Sequence, residues 1–568
     1  MQREWIIKEH NVQAAAKLAE TLGIHSITAN LLIDRGIDSS EEAEKFLYPK
    51  LSDLPDPDSF PDMQRAVSRI AKAIKEKENI AIFGDYDVDG ITGSALLKSF
   101  FNEIEVDPIV ILPNRFEGYG LSEKNIRVLK EKSVDLLITV DNGIRANEAI
   151  DLANDLGMEV VLTDHHELGK TLPNAHSIIN PHRLPKDSLY RDLSGCGVAF
   201  ILLIALRKYL REDKTFDLKE PNLKQHLDLV ALGTIADIVP LIGVNRTLAK
   251  FGIAEIANSS KPGIQELMSV CGTKPSEVTP TTIAFRLAPR INAAGRIGNP
   301  NLALELMLAK NHEEARVIAS ELDMANRKRQ NIEQRIMKEA TDQIQCDLSI
   351  DEKYGLVLDA KDWHLGVIGI TAAKVSERNF KPTVIISRDS DPARGSARSL
   401  EGLNLMDALS RCSDLLQGYG GHAMAAGITI AHDKIDDFHR RFNEACSELI
   451  LTKVTKKIEV DALISIDEIN NQLIDEISIL EPFGEGNPEP KFAVMDATIF
   501  DHRIVGDNHL KLSVGDSSRR FDTIGFNMGN AVEQSTQNVS LVFIPQYNTW
   551  NGNTSIQLKI KDIKPCSE

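Results

Sequence analysis

The chain has 568 residues, 42% of them hydrophobic and 26% charged, with a formal net charge of −18. That length exceeds one core, so roughly three to five domains are expected. The composition excludes a low-complexity polymer, and the longest apolar stretch, "GVAFILLIAL" (197–206), is too short to span a bilayer. Net acidity alone argues against a nucleic-acid partner, but binding depends on the local patch rather than the sum.

The opening "MQREWIIKEH" lacks a secretory apolar core, and Glu4 and Glu9 argue against a transit peptide. The six cysteines are scattered without a CxxC pair, which predicts free thiols in a cytoplasmic protein. Residues 1–60 read as a small helical segment ending in the turn-rich "YPKLSDLPDPDSFPDM". Residues 61–250 follow as a first α/β domain. Its short apolar runs "NIAIF", "DPIVIL", "DLLITV", "MEVVLT" and "HSIIN" alternate with helical patterns, which predicts a doubly wound parallel sheet buried on both faces. Residues 251–345 read as a helical connector. Its last part carries Ile318, Leu322, Ala325, Ile332 and Ile336 at helical spacing, with "NRKRQ" (326–330) expected in solvent. A second, smaller α/β domain is expected over 346–454, with strands at "YGLVLDA", "TVIIS" and "GITIA". Residues 455–568 are β-rich and fit a five-stranded barrel of the oligonucleotide-binding kind, with Asn551-Gly552 as a hairpin signal.

The chemistry concentrates in four segments. Asp85, Asp87 and Asp89 follow "IAIF"; Asp141 follows "LLITV"; Asp164, His165 and His166 follow "VVLT"; Asp237 follows "LVALGTIA". The first three segments lie at the carboxyl ends of expected parallel strands, the edge where ligand sites form in open α/β sheets. Two carboxylates about 4 Å apart repel by roughly 4 kcal/mol at an effective dielectric of 20, so this crowding needs protons, basic partners or cations. Arg145 is the only basic residue in these segments. Asp with His and no thiolate suits Mn²⁺, Mg²⁺ or Zn²⁺, with donors enough for two ions. Each segment has a plainer reading alone. "DYDVDG" fits a calcium loop or a solvated turn, although the twelfth position counted from Asp85 is Leu96 rather than Glu. "VDNG" fits a turn, "DHH" a surface cluster and Asp237 a cap. Their placement together on one sheet edge favours metal.

In this order, "GDYDVDG", "VDNG", "TDHHE" and "GTIADIVPL" resemble the DHH phosphoesterase superfamily. "RLAPRINAAGRIGNP", "WHLGVIGITAAKVSERNFKPTVII", "RGSARS", "GYGGHAMAAG" and "PFGEGNP" resemble the bacterial RecJ exonucleases within it. The resemblance implies a DHH domain, a DHHA1-like second α/β domain and an oligonucleotide-binding barrel. It implies Asp87 on one metal and Asp89 on the other, Asp141 bridging, His165 and Asp237 completing the second site, and His166 at the scissile phosphate. Asp85 and Asp164 would support these ligands in the catalytic centre. Phe83 departs from the pattern, because many relatives have a histidine there and the first site would lose a ligand. Arg296, Ser396 and Arg398 are implied as a pocket for a 5′-terminal phosphate. Arg290, Arg115, Gly421 and His422 are further candidates for DNA contact.

The expected activity is a single-stranded-DNA-specific 5′→3′ exonuclease using two Mn²⁺ or Mg²⁺ ions in DNA repair and recombination. The expected form is a cytoplasmic monomer away from membranes. A single-stranded-DNA-binding protein and a helicase are partners implied by resemblance alone. Two alternatives stay open at this point: a phosphoesterase for short oligoribonucleotides or cyclic dinucleotides, and a replication scaffold with a dead site.

Overall fold

The computed structural model describes residues 3–113, 120–213, 220–347, 349–400, 402–449, 457–533, 536–550 and 552–566. The chain opens with strand β1 (Glu4–Ile7), a correction to the purely helical N-terminal segment expected; it runs parallel to Lys457–Val460. The helices Val12–Leu22, Ser26–Ile33 and Ser40–Leu47 follow. Asn11 caps the first by accepting from the Ala14 amide, and Gly23 ends it at φ 67°. Their apolar faces join the C-terminal barrel: Leu18, Leu31 and Phe46 share a core with Phe492, Val539 and Leu558. The two ends of the chain therefore pack as one unit, which no local pattern in the sequence reveals.

Strands β2 (Ile80–Phe83), β3 (Ile109–Ile111), β4 (Leu136–Thr139), β5 (Glu159–Thr163) and β6 (Ser177–Ile179) form an all-parallel sheet in the order β3-β2-β4-β5-β6. Successive side chains alternate between two cores. Ile82, Ile138 and Val161 meet one set of helices; Phe83, Leu137 and Leu162 meet the other. Each fully buried side chain of this kind contributes about 1.5–3 kcal/mol, which locks the register of β2, β4 and β5 side by side. Their carboxyl ends then share one rim.

The helix His312–Cys346 is the long connector, capped by the Asn311 side chain on the Glu314 amide. Ile318 and Leu322 enter the first domain's core, while Ile336 and Ala340 enter the second domain's. "NRKRQ" is not uniformly solvated as expected. Asn326 is buried, and Arg329 donates to its Oδ1 and pairs with Glu333 at 2.6 Å. Only part of the run faces water, because the helix stripe turns through it.

The second domain is a five-stranded sheet of β7 (Leu356–Ala360), β8 (Thr383–Ser387), β9 (Ala393–Arg398), β10 (Leu416–Gly421) and β11 (Ala425–Ile430), ordered β10-β11-β9-β8-β7. After β12 (Lys457–Val460) and β13 (Ala462–Leu463) comes the barrel. It comprises β14 (Phe492–Val505), β15 (His509–Gly515), β16 (Arg520–Ile524), β17 (Asn538–Trp550) and β18 (Asn553–Pro565), closed by β14 pairing with β17. Trp550 lies opposite Asn553 across the last hairpin, with Gly552 at φ 82°; Asn551 lies outside the described residues. Phe492, Phe521 and Phe543 fill the barrel, whereas Phe500, Phe526 and Tyr547 are exposed. Among the described residues, no helix is long and apolar enough to cross a membrane.

Candidate active site and metal centre

The rim of β2, β4 and β5 gathers the acidic and imidazole groups. Asp87 caps the helix Val88–Glu103 by accepting from the Gly90 amide at 3.1 Å, and Asp89 lies in that helix's first turn. The buried Asp89 carboxylate also accepts from the Gly195 and Cys196 amides, at 2.6 and 2.9 Å. Those amides open the helix Gly195–Glu212. Asp89 thus sits between two helix N-termini, whose partial positive charges offset part of the cost of its burial. The sequence reading did not single out Gly195 or Cys196. Ser194 followed by "GCG" was the signal, a helix start with room for close approach.

Asp141 follows β4 with φ 63°, and Gly143 two residues on has φ 110°. Both lie in the left-handed region, which Asp tolerates better than most side chains. This tight reversal keeps Asp141 on the rim. Its Oδ1 lies 3.1 Å from His165 Nε2, yet neither atom has a hydrogen-bond partner in its buried position. His165 Nε2 is also 3.5 Å from Asp237 Oδ2. Donor atoms that converge without bonding each other are the arrangement a cation needs. Three sets each bring their donor atoms within 4.8 Å of one another: Asp85, Asp87 and Asp141; Asp89, His165 and Asp237; Asp141, His165 and His166. Oxygen and imidazole donors in these sets fit a pair of divalent cations.

Phe83, where a ligand was expected to be missing, is fully buried in the core with Leu137 and Leu162, and the Asp85, Asp87 and Asp141 set converges without it. Asp164 is taken up by its own turn. Its carboxylate accepts from the amides of Ile144, His165 and His166 and from His166 Nδ1, the last at 2.7 Å. An ionised carboxylate only accepts, so His166 carries its proton on Nδ1. Asp164 therefore orients the neighbouring imidazole.

Electrostatics follow from burial. Burial and then the charge of Asp87 push the Asp89 carboxyl up to about 7. Burial and then Asp89 push Asp237 up to about 9, and burial with the surrounding carboxylates raises Asp141 well above the carboxylate range. Burial and then His166 hold His165 down to about 4, so its imidazole is neutral at pH 7. Burial alone would lower His166, but its hydrogen bond to Asp164 and the charges of Asp164, Asp85 and Asp87 together outweigh this and raise it.

A pH prediction follows for the metal-free protein. Acids raised in the folded state keep protons that the unfolded chain releases near pH 4. Their stabilising contribution is full below that pH and is lost as pH rises through about 7 for Asp89 and about 9 for Asp237. A cation must displace those protons, so Mn²⁺ affinity rises by roughly tenfold per pH unit for each proton displaced, below about 7 for Asp89 and below about 9 for Asp237. Calorimetric titrations at pH 6, 7 and 8, in buffers of different ionisation enthalpy, check this. Affinity without pH dependence contradicts it.

Two cavities border the centre. One of about 300 Å³ is lined by Asp85, Asp87, Asp89, His166, Asp237 and Arg296, with Asn292, which the sequence reading did not name. A second of about 430 Å³ is lined by Arg296, Arg394, Ser396 and Arg398, with Gly366 and Gly369 from the helix Leu365–Asn379. Arg296 belongs to both. Its Nη1 donates to the Gly366 carbonyl at 3.3 Å. Ser396 and Arg398 share a face of β9 as their spacing predicts, and Arg398 Nη1 donates to Ser396 Oγ at 3.0 Å. A β-carbon on Gly369 would lie 3.1 Å from both Ser396 Oγ and Arg398 Nη2, so any larger residue there would press on both groups.

His422 lines a third cavity of about 430 Å³ with Asp164, His166 and Arg145, so the second domain reaches the metal centre. Gly421 ends β10 at φ 150°, and a β-carbon there would lie 2.3 Å from the Ala425 carbonyl oxygen. Arg290 is not among the residues lining these cavities. Its Nε donates to Asp323 at 3.0 Å, which ties its helix to the connector. Arg115 lies outside the described residues.

A parallel sheet with this acidic rim, a second α/β domain facing it and a closed barrel together define a protein of the DHH class. The chain matches the DHH family N-terminal domain over residues 79–234, the DHHA1 domain over 352–448 and the RecJ OB domain over 460–562. It is 34% identical to the single-stranded-DNA-specific exonuclease RecJ of Escherichia coli over all of both chains. It is 35% identical to RecJ of Bacillus subtilis, covering 98% of this chain and 70% of that one. The crystal structure of Thermus thermophilus RecJ in complex with Mn²⁺ superposes with a TM-score of 0.85 at 28% identity, over 100% of this chain and 80% of that one. The chain belongs to the RecJ family.

Proposed function

We propose that this chain is an exonuclease specific for single-stranded DNA, hydrolysing phosphodiester bonds from the 5′ end with two divalent cations, Mn²⁺ or Mg²⁺. The observation that carries the reading is the placement of Arg296 as a common wall of the acidic cavity and the arginine-serine cavity. A strand end whose terminal phosphate is held in the second cavity lies beside the hydrolytic centre, which favours removal from the end over internal cleavage. A terminal phosphate suits a site built from Ser396, Arg398 and the amino end of the helix Leu365–Asn379.

In this reading Asp85 and Asp87 would hold one cation, Asp89, His165 and Asp237 would hold the other, and Asp141 would serve the first set and the set of His165 and His166. When bound, divalent cations at such a centre supply Lewis acidity to phosphoryl oxygens and a water of lowered pKa. The chain's own groups do the rest. His166, kept protonated on Nδ1 by Asp164, lines the acidic cavity and stabilises charge on the scissile phosphate. Arg296 and Arg398 fix the strand end so that the next phosphodiester reaches the acidic rim. The negative total charge is no obstacle, because the contacts are local and cations neutralise the rim.

The barrel's exposed Phe500, Phe526 and Tyr547 are candidates to stack on bases farther along the strand. Arg520 lies over the Phe500 ring at 3.7 Å. DNA repair and recombination in the cytoplasm, as a monomer, with a single-stranded-DNA-binding protein and a helicase supplying the strand, is the setting this activity fits.

Digestion of an end-labelled strand, alone and in a blunt duplex, tests strand specificity. Unpairing costs about 1.4 kcal/mol per base-pair step, so a requirement for two unpaired nucleotides slows the duplex by about 100-fold. Equal rates would refute it. A dinucleotide cleaved faster than the long strand would favour a small-substrate phosphoesterase instead.

A further inference from the structure

We propose that the barrel domain positions Asp237: the loop 482–488 grips the segment that follows this residue and so holds its carboxylate on the acidic rim. The proposal rests on the reading of Asp237 as a metal ligand. Asp237 ends the helix Leu227–Ala236, and Ile238 immediately after it has φ 61°. A β-branched side chain in left-handed backbone is strained. Burial does not compensate, because Ile238 is 69% exposed. Something beyond Ile238 must hold the chain in this path.

The loop supplies the grip. The Leu241 amide donates to the Glu485 carbonyl at 2.7 Å. Leu241 is buried against Gly484, where a β-carbon would lie 2.7 Å from Leu241 Cδ1. Gly486, at φ 70°, packs on Pro240, and a β-carbon there would lie 3.0 Å from Pro240 Cβ. From the other side, Asn245 Nδ2 donates to the Pro240 carbonyl at 3.0 Å. Residues 240 and 241 are thus clamped three and four residues after the ligand.

The loop is itself braced. The buried Asn487 donates to the carbonyls of Leu480 and Pro482, both at 2.9 Å, and accepts from Arg35 Nε at 2.7 Å. Arg246, 1% exposed, donates to the carbonyls of Phe46, Ile479, Leu480 and Glu481. One guanidinium therefore ties the first α/β domain, the N-terminal helices and the barrel domain together. A clamp with these anchors transmits the position of the barrel domain to Asp237.

The test measures Mn²⁺ binding by calorimetry, and metal-dependent hydrolysis, in the full chain. Asp237→Ala serves as reference and loses one of two Mn²⁺ sites. Gly486→Ala, strained at its φ and crowding Pro240, binds that same Mn²⁺ about tenfold more weakly, the factor set by relaxing left-handed backbone at Ile238. The other Mn²⁺ keeps its affinity. Saturating Mn²⁺ restores kcat, with KM for DNA unchanged. Ile238→Gly, which adopts a positive φ without strain, binds Mn²⁺ like the parent. In the double variant it restores the affinity that Gly486→Ala lost, a rescue no general loss of stability produces. Where Gly486→Ala does not fold, Gly484→Ala, whose β-carbon meets the movable end of Leu241, takes its place. Parent-like Mn²⁺ binding by a folded loop variant, or no rescue by Ile238→Gly, overturns the inference. Parent-like binding by Asp237→Ala removes the ligand reading itself.

Discussion

Asp141→Asn abolishes hydrolysis, lowering kcat by at least about 10³-fold, equivalent to about 4 kcal/mol of barrier, while the metal-free protein melts no lower than the parent. Asp141 is the carboxylate shared by the Asp85–Asp87 set and the His165–His166 set, so its loss disturbs both candidate cation positions. Asparagine is chosen over alanine because position 141 has φ 63°, and Asn tolerates left-handed backbone as Asp does. Stability should hold because burial, and then the charges of Asp89, Asp87, Asp237 and Asp85, raise this carboxyl well above the ordinary range. Asparagine replaces an acid that keeps its proton in the absence of metal, so the substitution adds no charge to the buried cluster. Mn²⁺ titration and thermal melts of the two proteins separate the effects. Activity equal to the parent at saturating Mn²⁺ would place the chemistry elsewhere and revive the reading of a scaffold with a dead site. A variant that loses stability without metal contradicts the electrostatic account.

The second large effect concerns the strand end. Arg398→Ala should lower kcat/KM on a 5′-phosphorylated strand by about 10²-fold, consistent with losing charge-assisted hydrogen bonds of about 1.5–3 kcal/mol. It should change digestion of a 5′-hydroxyl strand little, so the preference for phosphate collapses. Arg398 lines the cavity with Ser396, Arg394 and Arg296, and it bonds Ser396 directly. Lysine at this position should recover only part of the loss, because a point charge does not reproduce the guanidinium fork. Mn²⁺ affinity should stay that of the parent. A preference for the 5′-phosphate that survives Arg398→Ala means that the cavity serves another purpose.

The motifs carried much of this in plain view. Asp85, Asp87 and Asp89 after "IAIF", Asp141 after "LLITV" and His165 after "VVLT" were legible because buried parallel strands are continuous apolar runs and their ends are abrupt. The pairing of Ser396 with Arg398 was legible because strand side chains alternate. The bond of Arg290 to Asp323 was not legible, since an arginine that ties two helices has the same local sequence surroundings as one that meets phosphate. "NRKRQ" misled because charge suggests solvent, while Asn326 and Arg329 face inward on a helix packed on both domains. The first strand and its pairing left no trace, because β1 and its partner Lys457–Val460 lie far apart along the chain.

The order of residues alone determined which elements form and which side chains bear the chemistry, since propensity, periodicity and donor type act over a few neighbouring residues. Tertiary structure decided what those side chains meet. Asp89 finds the amides of Gly195 and Cys196, Arg296 joins two cavities, and the loop 482–488 closes on Leu241. Such contacts arise only when distant segments bury apolar surface together, and their energies depend on distance in space rather than along the chain.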